Sequence, residues 1–159
     1  MHALRMKRTI LLVLLAAACS SNDYKEGPLG IRWKPPQGVK LMGEEKEGEV
    51  AVARFSGGIE VRMVPSPALP TSGDLDALRT QLLDASKLRV PANVRSAKDG
   101  TIPFGPVVRW DLEGGDDRAL LYYLPAKDRY LLFALTTSKA GFDKRADKFE
   151  LSLSSVKPQ

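Results

Sequence analysis

The segment that most constrains the fold is an apolar run in the C-terminal third of the chain. Its side chains are apolar at odd and even positions alike, in the order Tyr130-Leu131-Leu132-Phe133-Ala134-Leu135. Because successive side chains of a strand point to opposite faces, both faces of this strand are expected to be buried. The run therefore predicts a central strand in a sheet that other elements cover on both sides.

Strand signals surround this run. Strong strands are predicted at 107–112, 118–124 and 129–137, in a meander joined by turn-forming residues. Two alternating segments, 49–55 and 59–64, are joined by Ser56-Gly57-Gly58, which is typical of a hairpin. Weaker strands are predicted at 30–33, 39–42, 93–97 and 101–104, with turns at 43–48 and at Asp99-Gly100.

Two segments have helical periodicity. The first is predicted to begin with Thr71 or Ser72 as its N-cap and to end near Leu88, with a stripe formed by Leu75, Leu78, Leu82 and Ala85. The second covers 142–155, with an apolar stripe of Phe142, Ala146, Phe149 and Leu153 and a basic side of Lys144, Arg145 and Lys148. The pattern predicts an α+β domain, with an antiparallel sheet of about six or seven strands packed by two amphipathic helices.

The N-terminus carries an export signal. Lys7 and Arg8 precede an apolar run from Ile10 to Ala18. The run is much shorter than the roughly 20 residues that span a bilayer, so it fits a signal peptide rather than a transmembrane helix.

The end of this signal, Leu15-Ala16-Ala17-Ala18-Cys19, resembles the lipobox of bacterial lipoproteins. The resemblance implies cleavage between Ala18 and Cys19 and lipidation of the Cys19 thiol. The position three residues before the cysteine is Ala16, where this family usually has leucine. Ser20 differs from the aspartate that retains such proteins at the inner membrane in enteric bacteria, so the expected location is the outer membrane, facing the periplasm. The alternative is an ordinary secretory signal with a spare thiol at Cys19.

This organisation predicts three parts: a signal peptide at 1–18, the lipidated cysteine and a short linker at 19–29, and a single α+β domain at 30–159. Without Arg5, Lys7 and Arg8, the 24 basic residues fall by three against 19 acidic ones, which leaves a net charge of about +2. No block of like charge stands out, so the sequence predicts no nucleic-acid partner.

Histidine and cysteine are nearly absent. His2 is the only histidine and would leave with the signal, and Cys19 is the only cysteine. A mature chain of this kind lacks the groups for Ser-His-Asp or Cys-His catalysis and for His/Cys zinc sites. The sequence therefore predicts no enzyme, no catalytic residue, no bound metal and no cofactor.

The element order, with Trp33-Lys34-Pro35-Pro36-Gln37-Gly38 near its start and Phe142, Phe149 and Leu153-Ser154-Ser155-Val156 at its end, resembles the PsbP-like superfamily. The resemblance covers roughly residues 30–157 and implies an α/β/α sandwich around an antiparallel sheet. It also implies an accessory, assembly or binding role rather than a particular substrate, because the family has no shared catalytic motif.

Two aromatic and charged clusters are candidate partner surfaces. Trp33 lies between Arg32 and Lys34, and Trp110 follows Arg109. Tryptophan and arginine are frequent interface anchors, so Trp33, Arg109 and Trp110 are predicted to form a partner surface; the alternative is that both tryptophans are buried in the core. The acidic groups at Glu44-Glu45, Glu47 and Asp116-Asp117 are interpreted as solvated turns, with cation binding as the alternative.

The expected function is that of a lipid-anchored envelope protein acting as a non-catalytic binding or assembly module. Its expected partners are the membrane, through the lipid anchor, and an envelope protein. Two alternatives remain: a periplasmic carrier of a small ligand, which needs a sizeable apolar pocket, and a carboxylate-based envelope hydrolase, which needs two carboxyl groups facing one cleft.

Overall fold

The computed structural model of the protein describes residues 22–159. A two-stranded sheet joins β1 (Ile31–Arg32) to β9 (Lys157–Pro158), and the helices are α1 (Leu75–Ser86) and α2 (Phe142–Leu153). The strands of the main sheet are β2 (Leu41–Glu47), β3 (Val50–Phe55), β4 (Ile59–Val64), β5 (Asn93–Ile102), β6 (Gly105–Gly114), β7 (Asp117–Pro125) and β8 (Tyr130–Ser138).

The main sheet is antiparallel and has the order β2-β3-β4-β8-β7-β6-β5. It consists of two meanders, β2 to β4 and β5 to β8, which meet where β4 pairs with β8 from Ile59↔Leu135 to Val64↔Tyr130. This architecture confirms the predicted α+β fold with a sheet of six or seven strands and two helices.

Each face of the sheet has its own core. On the face that we call the α2 face, Leu131, Phe133 and Leu135 of β8 pack in one cluster with Trp33 and Phe149. On the opposite face, the α1 face, the other side chains of β8 pack with Leu82 and Trp110. The central strand is thus buried on both sides, as its apolar run predicts.

Helix α1 begins later than the sequence analysis predicts. Its N-cap is Asp74, whose Oδ1 accepts hydrogen bonds from the backbone N–H groups of Asp76 and Ala77 at 3.0 and 3.2 Å, so the predicted caps Thr71 and Ser72 are wrong. A carboxylate accepts these bonds well and also complements the helix dipole. Lys87, in the left-handed conformation, ends the helix close to the predicted end.

Helix α2 closes the other face. Its buried side chains include all four residues of the predicted stripe, Phe142, Ala146, Phe149 and Leu153. Burial of one large apolar side chain contributes about 1.5–3 kcal/mol, so this helix is a major part of the α2-face core.

The two edge strands of the main sheet, β2 and β5, are longer than predicted. β2 continues to Glu47 and the turn follows at Gly48, whereas 43–48 is predicted to be a turn; β5 likewise runs through Asp99-Gly100 to Ile102. Almost every residue of both strands is exposed, so neither has the apolar alternation that marks a half-buried strand. Backbone pairing to one neighbour, rather than burial, holds these edges.

The predicted hairpin at Ser56-Gly57-Gly58 is confirmed. Gly58 has a φ of +84°, and a Cβ at this position would collide with the backbone carbonyl of Thr136 on β8. Glycine is needed here because it alone combines a positive φ with so close an approach of two backbones.

The folded part begins earlier than the predicted boundary at Gly30. Tyr24 is 5% exposed and Leu29 is fully buried, although both fall in the predicted linker. The backbone of Tyr24 pairs with that of Trp33 through two hydrogen bonds of 2.7 and 3.0 Å, and its ring packs edge-on against Phe55. These contacts fix the segment to the core, which corrects the linker at its C-terminal end.

Candidate functional site

The predicted partner surface does not form. Trp33 is 1% exposed and Trp110 is fully buried, on opposite faces of the sheet. Trp33 packs edge-on against Phe55 and Phe133 and donates from Nε1 to the Ser152 hydroxyl at 3.3 Å. Neither indole is accessible to a partner, because both complete the cores of the sandwich; this corrects the prediction.

Arg109, the third residue of that prediction, pairs with helix α2. Its guanidinium lies 2.7–2.8 Å from Glu150 Oε1, and the side chain is 20% exposed. Beside this pair, burial and the charge of Glu150 raise the pKa of Tyr122 to about 12, so its phenol stays protonated at neutral pH. Arg109 therefore fastens α2 to the sheet.

The predicted signal cleavage between Ala18 and Cys19 and the predicted lipidation of Cys19 lie outside the described residues. None of the helices in residues 22–159 combines the length and the apolar character that crossing a bilayer requires. The described residues also contain no cluster of three or more carboxylate, histidine or cysteine side chains placed to hold a metal ion.

A network of arginines and glutamates lies on the α1 face, between β2, β3 and β4. Arg62 is only 5% exposed and donates from Nη1 to Glu47 Oε2 at 2.6 Å and to the Ser86 carbonyl, at the end of α1, at 2.9 Å. Its Nη2 lies 3.2 Å from Glu60, and the half-exposed Arg54 pairs with Glu45, Glu47 and Glu60. The glutamates that the sequence analysis assigns to a solvated turn therefore include two that bind buried or half-buried arginines.

This network lines two adjoining clefts of about 580 and 720 Å³. Carboxyl groups in a cleft are what the carboxylate-based hydrolase alternative requires. A glycoside hydrolase needs one carboxyl group that stays protonated near neutral pH. The hydrogen bonds from Arg62 instead hold the pKa of Glu47 below its ordinary value, and Arg54 adds to this effect. Glu47 is therefore suited to binding arginine rather than to donating a proton.

The lowered pKa of Glu47 predicts a pH-dependent contribution to stability. A carboxyl group whose pKa is lower in the folded state stabilises the fold above its unfolded pKa, and this stabilisation is lost as pH falls through the folded value. We expect Glu47→Gln to lower the free energy of unfolding at pH 7 and to lower it by less at pH 3, where part of the stabilisation is already lost in the wild type. Urea unfolding at both pH values tests this, with the exposed Glu49→Gln as the control; an equal deficit at both pH values would contradict it.

Another cleft, which we call the basic groove, runs along the first half of α2 on the α2 face. It has a volume of about 600 Å³. One wall is the proline-containing segment 36–39, and the β3–β4 turn closes one end. Its lining also includes the apolar residues Ile59, Leu135 and Ala140 and, from α2, the cations Lys144, Arg145 and Lys148.

The charges of the basic groove are unbalanced. No carboxylate residue lines it, and among residues 22–159 neither Lys144 nor Lys148 takes part in an ion pair. Arg145 donates only to the Gly57 carbonyl and the Thr137 hydroxyl, each at the long distance of 3.4 Å. The groove thus presents three cations with free hydrogen-bonding capacity beside apolar side chains.

The opposite flank of α2 carries acidic side chains, and two of them are paired with arginines of the sheet. Asp143 and Glu150 lie there, 3.6 Å from Arg118 and 2.7 Å from Arg109 respectively. Arg118 also pairs with Asp111 at 2.8 Å and lies over the ring of Phe142. Asp143 and Glu150 are therefore paired with arginines of the sheet, whereas the three cations on the other flank have no carboxylate partner among the described residues.

Helical periodicity indicates the basic side of the last helix, but it does not indicate the groove. Lys144, Arg145 and Lys148 are visible in the helical period, whereas segment 36–39 and the turn at Gly57 are brought beside them only by the folding of distant residues. The prolines and glycines of these segments predict turns, but turn-forming residues do not indicate which helix a turn will contact.

Solved structures of other proteins resemble this fold. The solution structure of cyanobacterial PsbP (CyanoP) from Synechocystis sp. PCC 6803 is similar, with a TM-score of 0.61 and 17% sequence identity over 86% of this chain and 91% of that one. The chain therefore has an α+β fold that resembles PsbP-like structures. At this identity the similarity establishes the fold alone.

A second solved structure, protein PA94 of unknown function from Pseudomonas aeruginosa, matches with a TM-score of 0.47 and 16% identity over 86% of this chain and 96% of that one. A similarity this distant supports no inference about role. No protein-family model and no curated protein sequence matches the chain.

Proposed function

We propose that this protein is a lipid-anchored component of the bacterial cell envelope that acts without catalysis, by binding an acidic segment of a protein partner in the basic groove. The observation that carries the proposal is the contrast between the two flanks of α2. Arginines of the sheet pair with Asp143 and Glu150, while Lys144, Arg145 and Lys148 face an open groove without a carboxylate.

The shape of the groove favours an extended peptide. Its lining combines apolar side chains with cations, so a chain lying in it would place apolar side chains against Val39 and Ala140 and acidic ones against the cations. The uncapped N-terminus of α2 adds to the positive potential, because Gly141 has no side chain to satisfy the first N–H groups. Interfaces of this kind gain specificity and association rate from charge complementarity.

The anchor is supported by the sequence. The lipobox-like end of the export signal places Cys19 where cleavage makes it the first residue, and two or three acyl chains hold a protein on a membrane without a spanning helix. Ser20 in place of aspartate supports the outer membrane, facing the periplasm. On this proposal the anchor restricts the binding domain to the envelope, where its partner is.

Reversing the charges of the groove tests the proposal. In the triple variant Lys144→Glu, Arg145→Glu and Lys148→Glu, we expect in-cell crosslinking of the tagged full-length protein to recover roughly 30-fold less partner, because three attractive contacts become repulsive. The fold should persist, since acidic residues near a helix N-terminus are favourable and the replaced side chains are exposed.

The matched control reverses three other exposed cations, Lys46, Lys98 and Lys127, which lie outside the groove. Partner recovery from this control should equal that from the wild type. Equal recovery from the groove variant and the wild type would contradict the groove as the binding site, and loss from both variants alike would attribute the binding to overall charge.

A further inference from the structure

A fourth cleft lies beside Asp23 and Tyr24, at the N-terminal end of the described residues. It has a volume of about 330 Å³ and is lined by four exposed cations, Lys25, Arg32, Lys34 and Lys157, with Asp23 as its single carboxylate. We call it the tether patch. Among residues 22–159, none of the four cations takes part in an ion pair.

The backbone holds these cations together against their repulsion. β1 and β9 pair with Arg32 directly opposite Lys157, and like charges at opposite positions of a sheet destabilise the pairing. Lys34 is fixed beside them, because its backbone N–H donates to the Ser155 hydroxyl at 2.9 Å. A concentration of positive charge that the fold maintains without internal compensation fits an external anionic group.

The short tether identifies that group. Tyr24 is packed in the core and its backbone is paired with Trp33, which fixes the chain at this residue. Five Cα–Cα steps separate Cys19 from Tyr24, and a fully extended chain covers about 17 Å in that length. A lipid on Cys19 would therefore keep the tether patch within about one headgroup layer and a few water layers of the bilayer.

We infer that the tether patch binds the anionic headgroups of phospholipids and so fixes the orientation of the domain on the membrane. This inference rests on the proposed lipid anchor. Clusters of lysine and arginine beside a membrane anchor are attracted to anionic lipid surfaces in this way. The patch lies by Ser155, beyond the C-terminal end of α2, whereas the basic groove borders the first half of that helix, so headgroup binding leaves the groove open to its partner.

The test uses the purified lipidated protein, in vesicles of phosphatidylcholine alone or with 30% phosphatidylglycerol. A cysteine introduced at Gln159, next to the patch, or at Ala97, on the far edge strand β5, carries a fluorophore, and a nitroxide on lipid headgroups quenches it. We expect about twofold more quenching at position 159 in the anionic vesicles, lost at 0.5 M salt, and no such change at position 97.

The variant Lys25→Gln, Arg32→Gln, Lys34→Gln and Lys157→Gln should lose the dependence on anionic lipid. Glutamine removes the charge without adding repulsion, so the β1–β9 pairing should persist. The control with Lys46, Lys87, Lys98 and Lys127 replaced by glutamine should behave as the wild type. Flotation with both vesicles, but equal quenching at position 159, would overturn the headgroup site alone; failure to float with neutral vesicles would overturn the lipid anchor and this inference with it.

Discussion

The variant Arg62→Ala is expected to lower the free energy of unfolding by about 3 kcal/mol, because it breaks a buried charge network. Arg62 joins Glu47 of β2, Glu60 of β4 and the Ser86 carbonyl at the end of α1. Its removal leaves the Ser86 carbonyl without that donor and opens a cavity beneath the helix. For a domain of this size, the loss corresponds to a fall in Tm of about 10 °C.

Arg54→Ala is the matched control, because Arg54 pairs with Glu47 and Glu60 as well but is 46% exposed. Solvent screens an exposed ion pair, so this variant should lose less than about 1 kcal/mol. Thermal and urea unfolding of both variants measure the difference. An Arg62→Ala protein that unfolds within about 0.5 kcal/mol of the Arg54→Ala protein would show that burial of the network adds nothing to its strength.

The variant Cys19→Ser is expected to abolish attachment of fatty acid to the protein. A thiol accepts the diacylglyceryl group in the lipoprotein pathway that the lipobox resemblance implies, and a serine hydroxyl does not replace it. Each buried methylene contributes about 0.8 kcal/mol to membrane attachment, so loss of all the acyl chains removes most of the attachment energy.

Incorporation of a fatty-acid analogue in cells, together with the mass of the N-terminal peptide, measures this effect directly. Ser20→Ala is the control and should be labelled as the wild type is, because it leaves the cysteine in place. Equal labelling of Cys19→Ser and the wild type would contradict the anchor and would favour an ordinary secretory signal.

Sequence periodicity predicts the parts of this fold that are stabilised by burial. The run at 130–135 identifies the central strand, and the stripes of α1 and α2 identify the helices that cover it. The prediction shortens edge strand β2 and divides β5 in two, because the side chains of both strands are exposed and only backbone hydrogen bonds define them. The pair β1–β9 joins residues at the two ends of the domain and has no local signal.

The site residues show the same limit. The basic side of α2 follows from helical spacing, but Glu150 lies 41 residues from Arg109 and Glu47 lies 15 residues from Arg62, so no local pattern shows that these charges are paired. Trp33 and Trp110 are of a residue type that is common at interfaces, but the structure buries both of them in the core. Only the three-dimensional arrangement separates the cations that stabilise the fold from those that face a groove.

The most direct measurement is site-specific photo-crosslinking in cells, with a photoreactive amino acid at Gln37 in the wall of the basic groove. The same group at Lys98, on the exposed edge strand β5, serves as the reference. The proposed function predicts that the Gln37 position alone crosslinks to a protein segment rich in aspartate and glutamate. Crosslinks to lipid alone, or the same set of products from both positions, would contradict it.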